Sequence, residues 1–377
     1  MLQEILNKFR DPAVGRRILS ELMPKLEQAS DTFGRKLNFM EVCGTHTVSI
    51  SQTGIRDLLN PLVNLKSGPG CPVCVTDHHD IDRMLALSTE DVIITTFGDM
   101  VRVPGSRGSL AQYKAEGADI RVVYSGLDAV QVAEENPGRD VVFLGVGFET
   151  TVPTVAASLD AAFKRNVDNF LVFSAHKIVP PAIRVLMGDP EVKIDGFILP
   201  GHVSVILGRS AWDFIAQDYS CPASVVGFEP VDILLGIDDL VSQVLKGRVE
   251  VTNRYPRSVK EEGNAIARNL MKKYFLPADA SWRGIGVIPG SGLSFREEYS
   301  RFDAVVKYPV TVVRGDEPKG CACGEVLKGK IWPHQCPLFA SSCTPIAPIG
   351  PCMVSSEGAC AAYYRYHRDS KEGVKYG

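Results

Sequence analysis

Six of the chain's ten cysteines lie between Cys321 and Cys360, in a stretch crowded with Gly and Pro and without long apolar runs. Such a stretch cannot bury enough apolar surface to hold itself together and needs cross-links or a metal. Four thiolates around an iron–sulfur cluster would serve, which makes electron transfer the first functional expectation. One spaced set stands out: Cys321, Cys336, Cys343 and Cys360, with Cys323 and Cys352 left over. The spacing is wider than a ferredoxin's run, so distant loops would clasp the group. Zinc held by four thiolates is the structural alternative, and spacing does not choose between the metals.

At 377 residues and a formal net charge of −3, the chain has room for two or three domains. It carries no charge excess that would point to nucleic acid or a membrane surface. No run approaches about 18 consecutive apolar residues, and Met1-Leu2-Gln3-Glu4-Ile5-Leu6 lacks the basic-then-apolar layout of a signal peptide. A cytoplasmic protein is expected, with reduced thiols acting as ligands or redox groups.

Residues 1–35 read as helices, with Leu2, Ile5, Leu6 and Phe9 on one face and a second amphipathic run through Ile18, Leu19, Leu22, Met23 and Leu26. Short apolar runs then follow at 37–42, 92–96, 120–123, 141–146, 170–174, 196–199 and 223–226, several separated by helical stretches. That alternation predicts an α/β fold with parallel sheets covered by helices. A weak internal repeat (38–47 against 143–151) suggests two similar α/β domains, 36–130 and 138–240, followed by a Cys-rich domain over 250–377.

Three groups of residues carry chemistry. Cys43-Gly44-Thr45-His46-Thr47 sits at the carboxyl end of a predicted strand, where ligand groups gather. Cys43 and His46 could reach one metal, or the imidazole could lower the thiol's pKa. Gly68-Pro69-Gly70-Cys71-Pro72-Val73-Cys74 puts Cys71 and Cys74 within bridging distance and reads as a reversible dithiol. His78 and His79 after it read as a solvated helix start. In the second half, Glu149 and Thr150, His176, and His202 each follow a strand and would converge on one edge of a parallel sheet, to move protons or meet a partner. Glu149, beside a Gly turn, has no evident packing task. The Gly-rich run 284–292 has the wrong spacing for a dinucleotide site and reads as an irregular connector.

Together these segments resemble the HypD family, accessory proteins that help assemble the iron centre of NiFe-hydrogenases. The likeness rests on the Cys43–His46 and Gly68–Cys74 motifs, on Gly147-Phe148-Glu149-Thr150-Thr151 and Pro200-Gly201-His202-Val203-Ser204, and on Met353-Val354-Ser355-Ser356-Glu357-Gly358-Ala359-Cys360. The resemblance implies a scaffold on which an Fe(CN)2CO unit is built, in complex with a HypC-type small chaperone and fed by a HypE-type cyanide donor. Carried over by position, Cys43 would hold a transient Fe(II) bearing cyanide and CO, with His46 beside it. Cys71 and Cys74 would form the redox pair, and Cys321, Cys336, Cys343 and Cys360 would bind a 4Fe-4S cluster. A monomer forming transient complexes is expected. Two readings compete with it: a cluster-dependent thiol–disulfide reductase of a protein target, and a zinc-stabilised interaction module.

Overall fold

The computed structural model describes residues 7–313, 315 and 317–367. Leu2, Ile5 and Leu6 lie outside them. The second amphipathic run is a helix, Pro12–Phe33, started by Asp11, whose side chain accepts from the Ala13 N–H. Leu22, Leu26 and Ala29 recur at helical spacing and are buried against the helix Pro230–Leu245, where Ile233, Ile237 and Leu240 face them.

Two parallel sheets form the body. The first contains β1 (Leu37–Glu41), β2 (Val63–Ser67), β7 (Gly196–Pro200), β8 (Ala223–Val226) and β9 (Val251–Asn253), in the order β2-β1-β7-β8-β9. The second contains β3 (Val92–Thr96), β4 (Ile120–Val122), β5 (Asp140–Gly145) and β6 (Phe170–Ser174), in the order β4-β3-β5-β6. The α/β class is as expected, but the chain is not divided serially at about residue 130. The whole second sheet is inserted between β2 and β7, and β1 pairs with β7 across that insertion. The two legs of the weak repeat, 38–47 and 143–151, therefore start from different sheets, β1 in the first and β5 in the second. The central strands, such as β3, β7 and β8, are short apolar runs buried on both faces, so their composition does not say which neighbour each takes.

The Gly-rich run is not an irregular connector. Phe275–Trp282 (β10) and Gly286–Phe295 (β11) form an antiparallel hairpin whose tip is Arg283-Gly284-Ile285. Gly284 and Gly286 take positive φ angles of 68° and 100°, the backbone such a tight tip needs. Pro277 and Pro289 are tolerated because a two-stranded ribbon leaves outward N–H positions unpaired. The hairpin is stitched to both sheets' loops, through a bridge between Thr76 and Trp282 and another between Lys177 and Gly292. Beyond it, the tail is loops around short helices, Cys323–Leu327, Pro351–Val354 and Ala359–Tyr366.

Candidate functional site

Parallel pairing of β1 with β2 carries both chains to the same sheet edge, and there the first two motifs meet. The Gly68 N–H donates to Glu41 O (2.7 Å) and the Gly44 N–H to Gly70 O (3.0 Å). A Cβ on Gly70 would stand 2.1 Å from Cys43 N, so the dithiol loop lies directly on the Cys43 backbone. Only glycine permits that approach.

Cys43 caps the helix Gly44–Gln52 and is buried. Burial, then the charge of Glu357, pushes its thiol up to about 12, against the pull of the Thr45 and His46 amides and the Thr45 hydroxyl. The imidazole of His46 does not activate it. Its Nε2 pairs with Gly227 O at 2.8 Å and the ring stacks on Phe228. Burial takes that imidazole down to about 4, so it is neutral at physiological pH. Glu41, two residues before Cys43, accepts from the Cys43 N–H (3.1 Å) and from the Thr47 hydroxyl. Burial lifts its carboxyl to about 7.

Cys71 and Cys74 are joined in a disulfide, and the short helix Pro72–Val75 follows Cys71. The Cys74 N–H donates to Cys71 Sγ at 3.2 Å. The loop that carries the bridge borders a cleft of about 360 Å³ between the carboxyl ends of the two sheets. Pro72 and Val73 line it from the dithiol loop, Phe97 and Asp99 after β3, Thr151 after β5, and Glu357 from the tail. Residues of the Met353–Cys360 motif close this arrangement on both sides. The Ser355 hydroxyl donates to Asp99 Oδ2 (3.0 Å) on the second sheet, and Glu357 Oε1 accepts from the Thr45 hydroxyl (2.8 Å) on the first.

The polar residues of the second half do not converge as expected. His202 follows β7 in the first sheet and stacks on the face of Phe228 at 3.9 Å, so that Phe228 joins His202 to His46. Glu149 and His176 belong to the second sheet. Glu149 has a packing task after all: its Oε1 accepts from the Val179 N–H (2.9 Å), capping the helix Val179–Gly188. Thr150 is exposed. His176 is buried beside Gly145, with Nδ1 3.0 Å from the Ser174 hydroxyl, and burial takes it down to about 3. His78 is not a solvated helix start either. It is buried, with Nε2 2.8 Å from Ser106 Oγ, which in turn donates to Asp82.

Burial lifts the Glu149 carboxyl from an ordinary 4.5 to about 7. The folded chain therefore holds a proton that the unfolded chain releases between those values. The group's stabilising contribution is complete below about 4.5 and is lost as pH rises through 7. Glu149→Gln keeps an oxygen for Val179 but cannot ionise. It should match the parent at pH 4.5 and exceed it by about 3 kcal/mol at pH 8, read from unfolding curves at the two pH values.

In the tail, Cys321 and Cys323 sulfurs lie 3.3 Å apart. Cys323 interacts with Cys352 and Cys360, whose thiols it shifts, and Cys336 is close enough for its charge to act on Cys360. Cys343 Sγ accepts from the Ile349 N–H at 3.3 Å. The set Cys321, Cys336, Cys343 and Cys360 is thus joined by Cys323 and Cys352 in one sulfur-rich region. Among the described residues no three His, Cys, Asp or Glu side chains are already drawn into a metal-binding group. The donor chemistry nonetheless fits a thiolate-bound cluster: five of the six cysteines are buried, and crowding with burial holds Cys323, Cys352 and Cys360 well above the ordinary thiol range. A cationic centre would relieve that penalty on the thiolate forms.

Glu41, Phe228 and Glu357 were not singled out from sequence. Glu41 and Glu357 both lie inside or beside quoted motifs, and a carboxylate adjoining a cysteine segment was the available signal. Phe228 offered none, because its role is to stand between two histidines brought together by strand order.

The profile of the HypD family, described as "Hydrogenase formation hypA family", matches residues 17–367. The Hydrogenase maturation factor HypD of Escherichia coli K12 is 45% identical over 370 residues, covering 97% of this chain and 99% of that protein. That of Rhodobacter capsulatus is 44% identical over 366 residues, with 96% and 97% covered. A putative hydrogenase expression/formation protein of Methanocaldococcus jannaschii is 40% identical over 353 residues, with 94% and 98% covered.

Proposed function

Since this chain belongs to the HypD family of hydrogenase maturation factors, we propose that it is the scaffold on which the Fe(CN)2CO unit of NiFe-hydrogenase is assembled, with redox capacity of its own. One observation carries the reading. The Cys43 thiol, the Cys71–Cys74 bridge and the Cys-rich tail are packed together at one sheet edge, with Gly70 on Cys43 and Glu357 on Gly44 and Thr45.

Cys43, with a thiolate from a HypC-type chaperone, holds the Fe(II) cargo as cyanide and CO are added. A lone thiolate is disfavoured there, because burial and Glu357 both oppose it. A divalent cation reverses that balance: the thiol proton leaves, the Thr45 and His46 amides face the resulting anion, and Glu357 becomes an attractive neighbour. His46 and His202, stacked about Phe228, shape the wall on that side. The burial of Cys43 keeps its cargo away from bulk water, which would hydrolyse or exchange those ligands.

A HypE-type donor presents cyanide as a thiocyanate on a cysteine. Its reductive release needs two electrons: the S–C bond breaks, the donor sulfur leaves as a thiol, and cyanide passes to iron. The reduced Cys71–Cys74 pair, as one thiol and one thiolate, supplies the two electrons and the donor thiol's one proton by forming the disulfide. Cys321, Cys336, Cys343 and Cys360, with Cys323 and Cys352 beside them, would hold a 4Fe-4S cluster. The chemistry such a cluster contributes when bound is one-electron supply for reopening the bridge.

Anaerobic copurification with the small chaperone tests the reading. The expected preparation contains about four iron and four labile sulfide per chain beyond the cargo iron, and infrared bands of iron-bound cyanide and CO. A preparation with zinc alone and no such bands would overturn it.

A further inference from the structure

The hairpin tip holds a residue that the reading above does not use. Arg283 is only 1% exposed. Its backbone N–H donates to Val75 O (2.9 Å), its Nε to Thr76 O (3.1 Å), and its Nη2 lies 3.5 Å from His78 Nδ1. Among the described residues no carboxylate forms an ion pair with it. Asp82 Oδ2 stands 3.8 Å from the other nitrogen of the neighbouring His78, and the charges of Asp77 and Glu317 also act on that imidazole. A buried guanidinium with only carbonyl and imidazole contacts is expensive to desolvate unless negative charge arrives nearby.

The geometry says where that charge comes from. On one side Arg283 grips Val75 and Thr76, the residues directly after Cys74. On the other, a Cβ on Gly284 would stand 2.1 Å from Gly324 Cα, so the tip is pressed against the residue following Cys323. The tip is a wedge between the two sulfur centres, and Arg283 is its only cation.

We propose that Arg283 is an electrostatic positioning residue of the sulfur relay, whose buried positive charge favours the reduced, anionic state of the Cys71–Cys74 couple. The inference rests on the redox role given to that pair above. When the bridge accepts two electrons, the S–S bond breaks and, after uptake of one proton, one thiol and one thiolate remain. In a dithiothreitol buffer the electrons come from its dithiol, which closes to its cyclic disulfide. A thiolate in low-dielectric surroundings gains from a fixed cation nearby, and the cation from it.

The test equilibrates the anaerobically prepared full chain in dithiothreitol buffers of graded ratio, traps thiols by alkylation, and measures the reduced fraction of the Cys71–Cys74 peptide by mass. Arg283→Met should lower the equilibrium constant for reduction about tenfold, which is 29.6 mV for a two-electron couple. Arg283→Lys, which keeps the charge, should stay within about twofold of the parent. A folded Arg283→Met chain with an unchanged constant would overturn the proposal, and so would Arg283→Lys shifting as far as Arg283→Met. Should Arg283→Met fail to fold, the parent decides: in the reduced chain one of the two thiols should alkylate with a midpoint below the free-cysteine value of about 8.5, and midpoints at or above it for both overturn the assignment. A parent bridge that no reductant opens would instead sink the redox reading itself, whatever Arg283 does.

Discussion

Replacing Cys43 with alanine should erase the infrared bands of iron-bound cyanide and CO from the copurified complex, while the Cys71–Cys74 bridge still opens and closes as in the parent. The expectation follows from two separate facts. Cys43 is the only cysteine at the carboxyl end of β1, and the bonds that hold it there, Cys43 N–H to the Glu41 carboxylate and Gly44 N–H to Gly70 O, use backbone amides that alanine keeps. The bridge has its own internal geometry in the Pro72–Val75 turn. Cargo binding should therefore fall below detection with little change in the thermal unfolding midpoint or in the reduction equilibrium. If both functions fall together, or neither does, Cys43 is not the cargo ligand, and a thiol–disulfide reductase acting on a protein target becomes the better account.

Gly70→Ala should be the most damaging single methyl in the site. The added carbon would meet Cys43 N at 2.1 Å, and the atoms next nearest, Val42 C and Cys43 Cα, are also backbone. No side chain can swing aside. The loop must lift from β1, breaking the Gly44 N–H to Gly70 O bond. Overpacking of this kind costs about 1–3 kcal/mol or more, with the lost hydrogen bond adding about 1 kcal/mol. The functional effect should exceed the loss of stability, because the lifted loop separates the dithiol from Cys43. Chemical denaturation gives the first quantity and infrared detection of cyanide loading the second. An unaltered unfolding midpoint would mean that the loop does not rest on Cys43.

Much of the framework was legible in the residues. Strands at 92–96, 170–174 and 223–226 fall where the apolar runs put them. The Cys43 and Cys71–Cys74 motifs lie at strand ends and contact one another. β2 escaped notice although Val63-Asn64-Leu65-Lys66-Ser67 alternates buried and half-buried positions, because five residues are too few for the period to stand out. The hairpin was hidden by its own prolines and glycines, which also describe a loop. Strand order was beyond reach: β1 pairs with β7, 157 residues on, through contacts that no local pattern encodes. From that order follow the separation of His202 from Glu149 and the meeting of His202 with His46. The capping role of Glu149 depends on where Val179 arrives, which again is a matter of topology.

The insertion of one sheet into another has a consequence during synthesis. β1 and β2 leave the ribosome early, but their partner β7 and the strands beyond it end only at Asn253. At about 5–20 residues per second, Cys43 and both bridging cysteines wait on the order of 10–40 s before their sheet can close. During that interval Cys43, Cys71 and Cys74, at the ends of the unclosed β1 and β2, are exposed to any oxidant or stray metal. A nascent chain of this kind gains from translation slow enough for the inserted sheet to fold, and from a holding partner that recognises unpaired β1.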